Sequence, residues 1–145
     1  MNKAYEFIEI VPRLYLIKWS RTPNYKEEML FIEELRQLLN NADDSLYFIS
    51  DVRKGRLISS QSIGQLVRLT DHDSWAGSTA YSENSISNLF VKQFHRSLGE
   101  NKDKNSMFDY AEEAVAFIQK LAPDLTKDVE WVDFIPHIKL TEESS

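Results

Sequence analysis

The hydrophobic pattern of the first fifty residues changes its period, and this change most constrains the fold. Tyr5–Val11 and Leu14–Trp19 have the composition of β-strands. Only Pro12 and Arg13 separate them, which predicts an antiparallel hairpin with a tight turn. Pro12 suits the turn because it has no backbone N–H to donate to a neighbouring strand. We therefore expect the fold to start with a β-hairpin.

A helix and a buried strand are predicted after the hairpin. Apolar residues recur at helical spacing across Tyr25–Asn40. Asn24 can cap this helix, and Glu27, three residues later, completes a capping box. The unbroken apolar run at residues 46–49 predicts a strand that is buried on both faces, as in the centre of a sheet. The strand–helix–strand crossing is typical of parallel pairing.

Further elements are predicted along the rest of the chain. A second helix begins between Ser59 and Ser62, and a short strand covers residues 78–82. A third helix presents the apolar residues Ile86, Phe90, Val91, Phe94 and Leu98. Residues 99–105 form a polar loop, and residues 107–108 belong to a last strand. Asp109 caps a fourth helix, with Glu112 at the box position and Pro123 after its end.

These elements predict one α/β domain over residues 1–145. Its core is a mixed sheet of four to six strands that about four helices cover. Residues 124–145 form a docked tail with a flexible end. The apolar residues of this tail, expected to pack on the domain or on a second copy of the chain, are Val129, Trp131, Phe134 and Ile135. A homodimer is therefore one expectation.

Composition narrows the environment and the partners. The chain contains no cysteine, which fits a reducing compartment and leaves out disulfides and thiolate metal sites. Its 17 basic and 23 acidic residues give a net charge of −6, the reverse of the usual balance in a nucleic-acid-binding protein. Neither a signal-peptide pattern nor an apolar run of membrane-spanning length is present. We expect a cytoplasmic protein that binds neither nucleic acid nor membranes.

The region between residues 47 and 69 resembles a known family. Phe-Ile-Ser-Asp-Val at residues 48–52 and Leu-Ile-Ser-Ser-Gln-Ser-Ile-Gly-Gln-Leu at residues 57–66 resemble the central strand, loop and helix of STAS domains. These domains are the anti-sigma-factor antagonists and their relatives. Residues 107–117 are similar to the closing helix of a STAS-like branch found in uncharacterised bacterial proteins. The order of elements agrees along nearly the whole chain.

The resemblance implies a STAS-like fold and a non-catalytic, regulatory module that binds another protein. It places Ser60 at the position of the family's phosphorylatable serine. Two positions depart from the family pattern. Ser59 stands where the antagonists have an acidic residue, and Ser62 stands where they have the first glycine of the helix. The antagonists use these two positions for kinase recognition and tight docking.

Three serines are candidate phosphorylation sites. Ser59, Ser60 and Ser62 lie where the second helix begins, so one of them can simply be an N-cap. A phosphate on one of them would be stabilised by the helix dipole and the free N–H groups of the first turn. Ser60 is the preferred candidate.

A basic cluster is the candidate binding site for an anion or a partner. Arg53, Lys54 and Arg56 flank Gly55 just after the predicted central strand. Ligands of open α/β sheets bind beyond the carboxyl ends of the strands, so these cations could hold a phosphate or an acidic surface. A solvated loop is the alternative. Asp51, at the strand end, either joins this site or fixes the loop by accepting hydrogen bonds.

Two other functions stay open. If some of the aromatic residues line a cavity instead of filling the core, the protein would carry or sense a small apolar, lipid-like ligand. The related arrangement of SEC14-type domains keeps this alternative open. The third alternative is an enzyme, although G-x-S-x-G, P-loop and G-x-G-x-x-G motifs are absent. Asp71-His72-Asp73 resembles half a metal site, but adjacent residues do not share a helix face, which favours a polar helix end. We predict no catalytic residue, metal or cofactor.

Overall fold

A computed structural model describes residues 3–83 and 103–139 of the chain. Its five-stranded sheet follows the order of the chain: β1 (Tyr5–Val11), β2 (Leu14–Trp19), β3 (Leu46–Asp51), β4 (Trp75–Tyr81) and β5 (Asn105–Phe108). β1 is antiparallel to β2, and each later strand is parallel to the one before it. The predicted α/β architecture, a hairpin followed by βα units in a mixed sheet, is confirmed.

Within the described residues, three longer helices and two single turns pack around this sheet. α1 (Tyr25–Asn40) connects β2 to β3, α2 (Ser60–Leu69) connects β3 to β4, and α3 (Ala111–Leu121) follows β5. The single turns are α4 (Pro123–Thr126) and α5 (Trp131–Phe134). The helix predicted around residues 86–98 lies outside the described residues. Within the two described ranges, no helix has both the length and the apolar character needed to cross a membrane.

Pro12 and Arg13 make the hairpin turn, as predicted. Arg13 has a φ of 77°, a left-handed conformation that costs a non-glycine residue about 1–3 kcal/mol. Its side chain offsets this cost, because Nε donates to the Ser45 carbonyl oxygen at 2.7 Å and Nη2 donates to Ser45 Oγ at 2.9 Å. These bonds tie the turn to the residue before β3 and help to bring β3 beside β2.

α1 begins and ends where the sequence predicts. Asn24 Oδ1 accepts from the Glu27 backbone N–H at 2.8 Å, and Glu27 Oε1 accepts from the Asn24 N–H at 3.0 Å. Both halves of the capping box are therefore formed. The buried face of the helix consists of Glu28, Phe31, Ile32, Leu35 and Leu39. Glu28 is the one charged residue among these five.

β3 lies in the middle of the sheet, and the core is divided between its two faces. Phe48 belongs to a cluster that α1 and α2 cover, and Ile49 belongs to a second cluster that α3 covers. Both side chains are fully buried. Burial on both faces explains why the sequence of this strand is apolar without alternation, as predicted.

α3 starts one residue later than predicted. Its N-cap is Tyr110 rather than Asp109, and the Tyr110 N–H donates to Glu113 Oε1 at 3.3 Å. Glu113 thus takes the box position that was assigned to Glu112. Glu112 Oε2 instead accepts from the Lys139 N–H at 2.7 Å, which a sequence pattern within one helix does not indicate. The helix ends before Pro123, as predicted.

The C-terminal residues up to 139 pack against the α3 face of the sheet. Trp131, Ile135 and Ile138 are buried in the second cluster. His137 Nε2 lies 2.6 Å from Glu83 Oε2, which ties this segment to the end of β4. Trp131 is 2% exposed in the single chain, so the argument for a dimer from its need for cover no longer applies.

Asn105 lies in a strand and not in the predicted loop. It was assigned to a polar loop but begins β5, with 1% of its surface exposed. Its Oδ1 accepts from Trp75 Nε1 at 2.7 Å and from Ser78 Oγ at 2.8 Å. A polar residue is kept in the core here because the side chains that face it across the sheet supply donors.

Candidate functional site

The loop between β3 and α2 is packed tightly against the rest of the protein. At its start, the Val52 N–H donates to the Tyr81 carbonyl oxygen at 3.1 Å. In its middle, a Cβ added to Gly55 would lie 2.1 Å from the carbonyl oxygen of Arg21, a distance that no side chain can occupy. The loop therefore needs glycine at this position, and its backbone is held against the segment that leads into α1.

Glu28 holds the start of α2 from the neighbouring helix. Its side chain is buried, and Oε2 accepts from the backbone N–H groups of Ile58 at 2.5 Å and Ser59 at 3.2 Å. A carboxylate is favourable here because the N-terminus of a helix carries free N–H donors and partial positive charge. The contact fastens α2 to α1. Glu28 was not among the predicted site residues, although its spacing from Phe31 and Ile32 places it on the buried face of the helix.

The three serines have different surroundings. Ser59 is the N-cap of α2, because its Oγ accepts from the Ser62 N–H at 3.1 Å. The Ser59 hydroxyl donates to Ser62 Oγ at 2.8 Å. The Ser62 hydroxyl in turn donates to Glu28 Oε1 at 3.4 Å, and Ser62 is fully buried. Ser60, the first residue of α2, is exposed. Of the three serines, Ser60 is therefore the most exposed.

The three predicted cations do not share one environment. Arg53 folds back onto Asp51, with Nε 3.0 Å from Oδ1 and Nη2 2.8 Å from Oδ2. Lys54 is exposed, and Arg56 lines a cavity under α2. The structure thus brings Arg53 together with Asp51. Asp51 fixes the loop in the way that the sequence analysis gave as one of its two roles.

Asp51 and Arg53 extend into a small polar group at the end of β4. The Arg53 guanidinium carbon lies 5.9 Å from the centre of the Tyr81 ring. Burial, and then the negative charge of Asp51, raises the pKa of Tyr81 well above its usual value, so its phenol stays neutral. The hydrogen bonds to Asp51 also raise the pKa of Arg53. This group is a neutralised, hydrogen-bonded ion pair, and it holds the loop rather than presenting free charge.

An exposed surface surrounds Ser60, and we call it the α2 entry surface. It consists of the exposed residues Tyr25, Ile58, Ser60 and Gln61, together with the half-buried Gly64. Tyr25 and Ile58 are large apolar side chains with 52% and 56% of their surface exposed. The Tyr25 hydroxyl donates to Gln61 Oε1 at 2.8 Å, which joins α1 to α2 on the outside.

Gly64 completes the α2 entry surface because it lies one turn after Ser60 on the same helix face. Among the described residues, no atom beyond its immediate neighbours lies within 4 Å of a Cβ built at Gly64. Tyr25 was not among the predicted site residues. Tyr25 belongs to α1, and no sequence pattern around it indicates that its side chain is exposed.

A cavity of about 60 Å³ lies on the other side of α2, between this helix and the sheet. Its wall is mostly apolar, and its aromatic members are Trp19, Phe31, Phe48 and Trp75. By comparison, a cavity that takes up benzene measures about 150 Å³. The volume under α2 therefore fits a ligand of a few heavy atoms rather than an acyl chain.

The possible metal ligand at residues 71–73 has a structural role. His72 Nδ1 accepts from the Ser74 N–H at 2.9 Å, so Nε2 carries the proton and donates to Asn40 Oδ1 at 2.8 Å. Both ring nitrogens are therefore used by bonds that close the turn before β4 and tie it to the end of α1. This arrangement agrees with the polar helix end that the sequence favoured.

The chain matches no known family model and no curated protein. The resemblance to STAS domains therefore rests on the sequence motifs and on the order of the elements.

Proposed function

We propose that the chain is a STAS-like protein-binding module, that it binds through the α2 entry surface, and that phosphorylation of Ser60 regulates this binding. The observation that carries the proposal is the exposure of two large side chains near Ser60. Ile58 lies two residues before Ser60, and Tyr25 donates a hydrogen bond to the next residue, Gln61. Large apolar side chains at the surface are common at protein interfaces, and aromatic residues are enriched in their centres.

The fixed backbone of this surface also favours binding. Glu28 and the close contact between Gly55 and Arg21 hold the loop before α2 in one conformation. A surface that is already ordered loses little conformational entropy when a partner docks. At Gly64 the open space lets the backbone of a partner approach α2 closely.

Phosphorylation of Ser60 would change the interaction with the partner. A phosphate on Ser60 adds about −1.5 to −2 charges at neutral pH. Inside the protein, Glu28 already accepts the N–H groups of Ile58 and Ser59, and Arg53 is paired with Asp51. The added charge would therefore repel an acidic partner surface or attract a basic one. This favours a change in partner affinity over an ordering of the loop by the phosphate.

Quantitative affinity purification from the native cytosol tests the proposal. Tyr25→Ala and Ile58→Ala remove the two apolar anchors, while Tyr110→Ala and Val132→Ala make similar changes at residues that are equally exposed elsewhere. We expect a protein partner, or a second copy of the chain, that the first two variants lose at least tenfold and the second two retain. If every captured protein survives the first pair as well as the second, the α2 entry surface is not the binding site.

Ser60 is tested on the same partner. Ser60→Glu should change its recovery, whereas Ser60→Ala should leave it unchanged, because only the first substitution adds charge. Equal recovery with both variants would reject the phosphorylation switch and leave the binding surface itself intact. Both variants sit at an exposed first helix position, so neither should perturb folding.

A further inference from the structure

β1 forms one edge of the sheet, and its outer side is open. The Ser20 N–H donates to the Ala4 carbonyl oxygen at 2.7 Å, which shows which residues of this strand bond to β2. Every second residue of an antiparallel strand bonds to the same neighbour, so Tyr5, Phe7 and Glu9 turn their N–H and C=O groups away from β2. Within the two described ranges, no other residue bonds to these groups.

A free edge of this kind usually carries features that prevent pairing with another chain. Proline, lysine, a bulge and a covering loop are the common ones. The seven residues of β1 include neither proline nor lysine, and its bulge lies only at the end, between Glu9 and Val11. Residues 5–9 therefore present a regular edge to a further strand. We propose that a second copy of the chain pairs with this edge, β1 against β1 in antiparallel orientation, so that the two sheets join into one.

The open backbone groups specify how the two strands align. Hydrogen-bonded pairs form only where outward-facing residues oppose each other, so Tyr5, Phe7 and Glu9 must face the same three residues of the second copy. The alignment that uses all three places Phe7 opposite Phe7 on the twofold axis and Tyr5 opposite Glu9 on both sides of it. It forms about six backbone hydrogen bonds between the chains.

The side chains favour this alignment over the neighbouring ones. It places Glu6 opposite Ile8, so no two carboxylates face each other. Moving one strand by two residues in one direction places Glu6 opposite Glu6, and like charges directly opposite each other destabilise a sheet. Moving it in the other direction leaves only residues 7–9 paired. β1 is therefore complementary to itself, which favours a second copy over an unrelated strand.

The face of the edge that α1 covers supports the same pairing. Lys3 lies on this face, with its Nζ 3.6 Å from a carboxylate of α1. In the proposed alignment Lys3 is a diagonal neighbour of Glu9 of the second copy, so a cation meets a carboxylate at each end of the strand pair. Phe7 stacks on Phe31 and is half-buried beside an open groove that Leu38 also lines. The Phe7 ring of the second copy covers this groove.

Solution mass and amide hydrogen exchange test the pairing on the unmodified chain. Light scattering across a dilution series should show a dimer that dissociates on dilution. The Phe7 amide should exchange at least about tenfold more slowly in the dimer than in the monomer, because it gains a hydrogen bond only in the dimer. The Glu6 and Ile8 amides are the internal control, since they bond to β2 in both states.

Disulfide formation tests the alignment. The chain has no cysteine, so every disulfide of a single-cysteine variant joins two chains. Glu6→Cys and Ile8→Cys are mixed in equal amounts under mild oxidation. Their mixed disulfide should exceed each same-site disulfide at least about tenfold, because opposed positions lie about 4.5 Å apart and equal positions about 7–8 Å apart. Glu6→Cys mixed with Tyr110→Cys, at an exposed residue before α3, should give far less mixed product.

Two results would overturn the inference. One is a monomer at every concentration. The other is a dimer in which the Phe7 amide stays unprotected or the mixed disulfide is not preferred, since such a dimer uses another surface. The exchange result needs no variant, so it decides the question even if Ile8→Cys does not fold. The β1 edge shares no residue with the α2 entry surface, so the inference does not depend on the proposed function.

Discussion

Replacing Glu28 with alanine tests how the start of α2 is held. In Glu28→Ala the backbone N–H groups of Ile58 and Ser59 lose their acceptor at a site where Glu28 is 2% exposed. A buried donor without a partner costs about 1–3 kcal/mol, so two of them cost about 2–6 kcal/mol of unfolding free energy. Domains of this kind have a total stability of about 5–15 kcal/mol, so the loss is large.

Glu28→Gln is the matched variant, because it keeps the shape and one acceptor oxygen but loses the charge. Hydrogen bonds to charged groups contribute about 1.5–3 kcal/mol and neutral ones about 0.5–1.5 kcal/mol, a difference of about 1–1.5 kcal/mol for each bond. Because both bonds lose their charge, we expect a loss of about 2–3 kcal/mol. Urea denaturation measures both losses. Amide hydrogen exchange at Ile58 and Ser59 measures whether the helix start opens. A loss below about 1 kcal/mol in Glu28→Ala, with unchanged exchange at both amides, would refute this reasoning.

Two further predictions concern glycine and pH. Gly64→Ala should raise the unfolding free energy in urea by about 1 kcal/mol through helix propensity, since a Cβ there meets open space. Gly55→Ala should lower it by about 3 kcal/mol through its clash with Arg21, and equal effects at the two glycines would contradict the packing described. The hydrogen bond from Arg21 lowers the pKa of Glu27 from 4.5 to about 2. Because the folded-state pKa is the lower one, the stability that this bond adds is present above pH 4.5 and is lost as the pH falls towards 2. The stability difference between wild type and Glu27→Gln should therefore shrink across that window, and a constant difference would contradict the assignment.

The features that sequence reasoning predicts correctly are set by nearby residues. The hairpin turn at Pro12 and Arg13 and the capping box of α1 depend on residues one to three positions apart. The burial of β3 on both faces shows in its own composition. Local patterns of this kind agree with the final tertiary structure, so they can be recognised from the sequence alone.

The features that it misses depend on distant residues. Glu28 contacts Ile58, thirty positions later, and no pattern within α1 indicates that this one carboxylate is needed. Arg53 pairs with Asp51, whereas Arg56 lines the cavity. This difference depends on which side of the sheet each side chain lies. Tyr25 joins the site only because α1 and α2 lie side by side. Each of these is a tertiary contact, which period and propensity do not encode.

A site-specific photo-crosslink in living cells tests the central proposal most directly. Benzoylphenylalanine replaces Tyr25 in one variant and Tyr110 in another, since both tyrosines are more than half exposed and stand at the start of a helix. We predict a discrete protein adduct from position 25 that is missing from position 110 and changes in yield with Ser60→Glu. Adducts of equal yield from both positions, or none from position 25, would contradict the proposal that the α2 entry surface binds a protein.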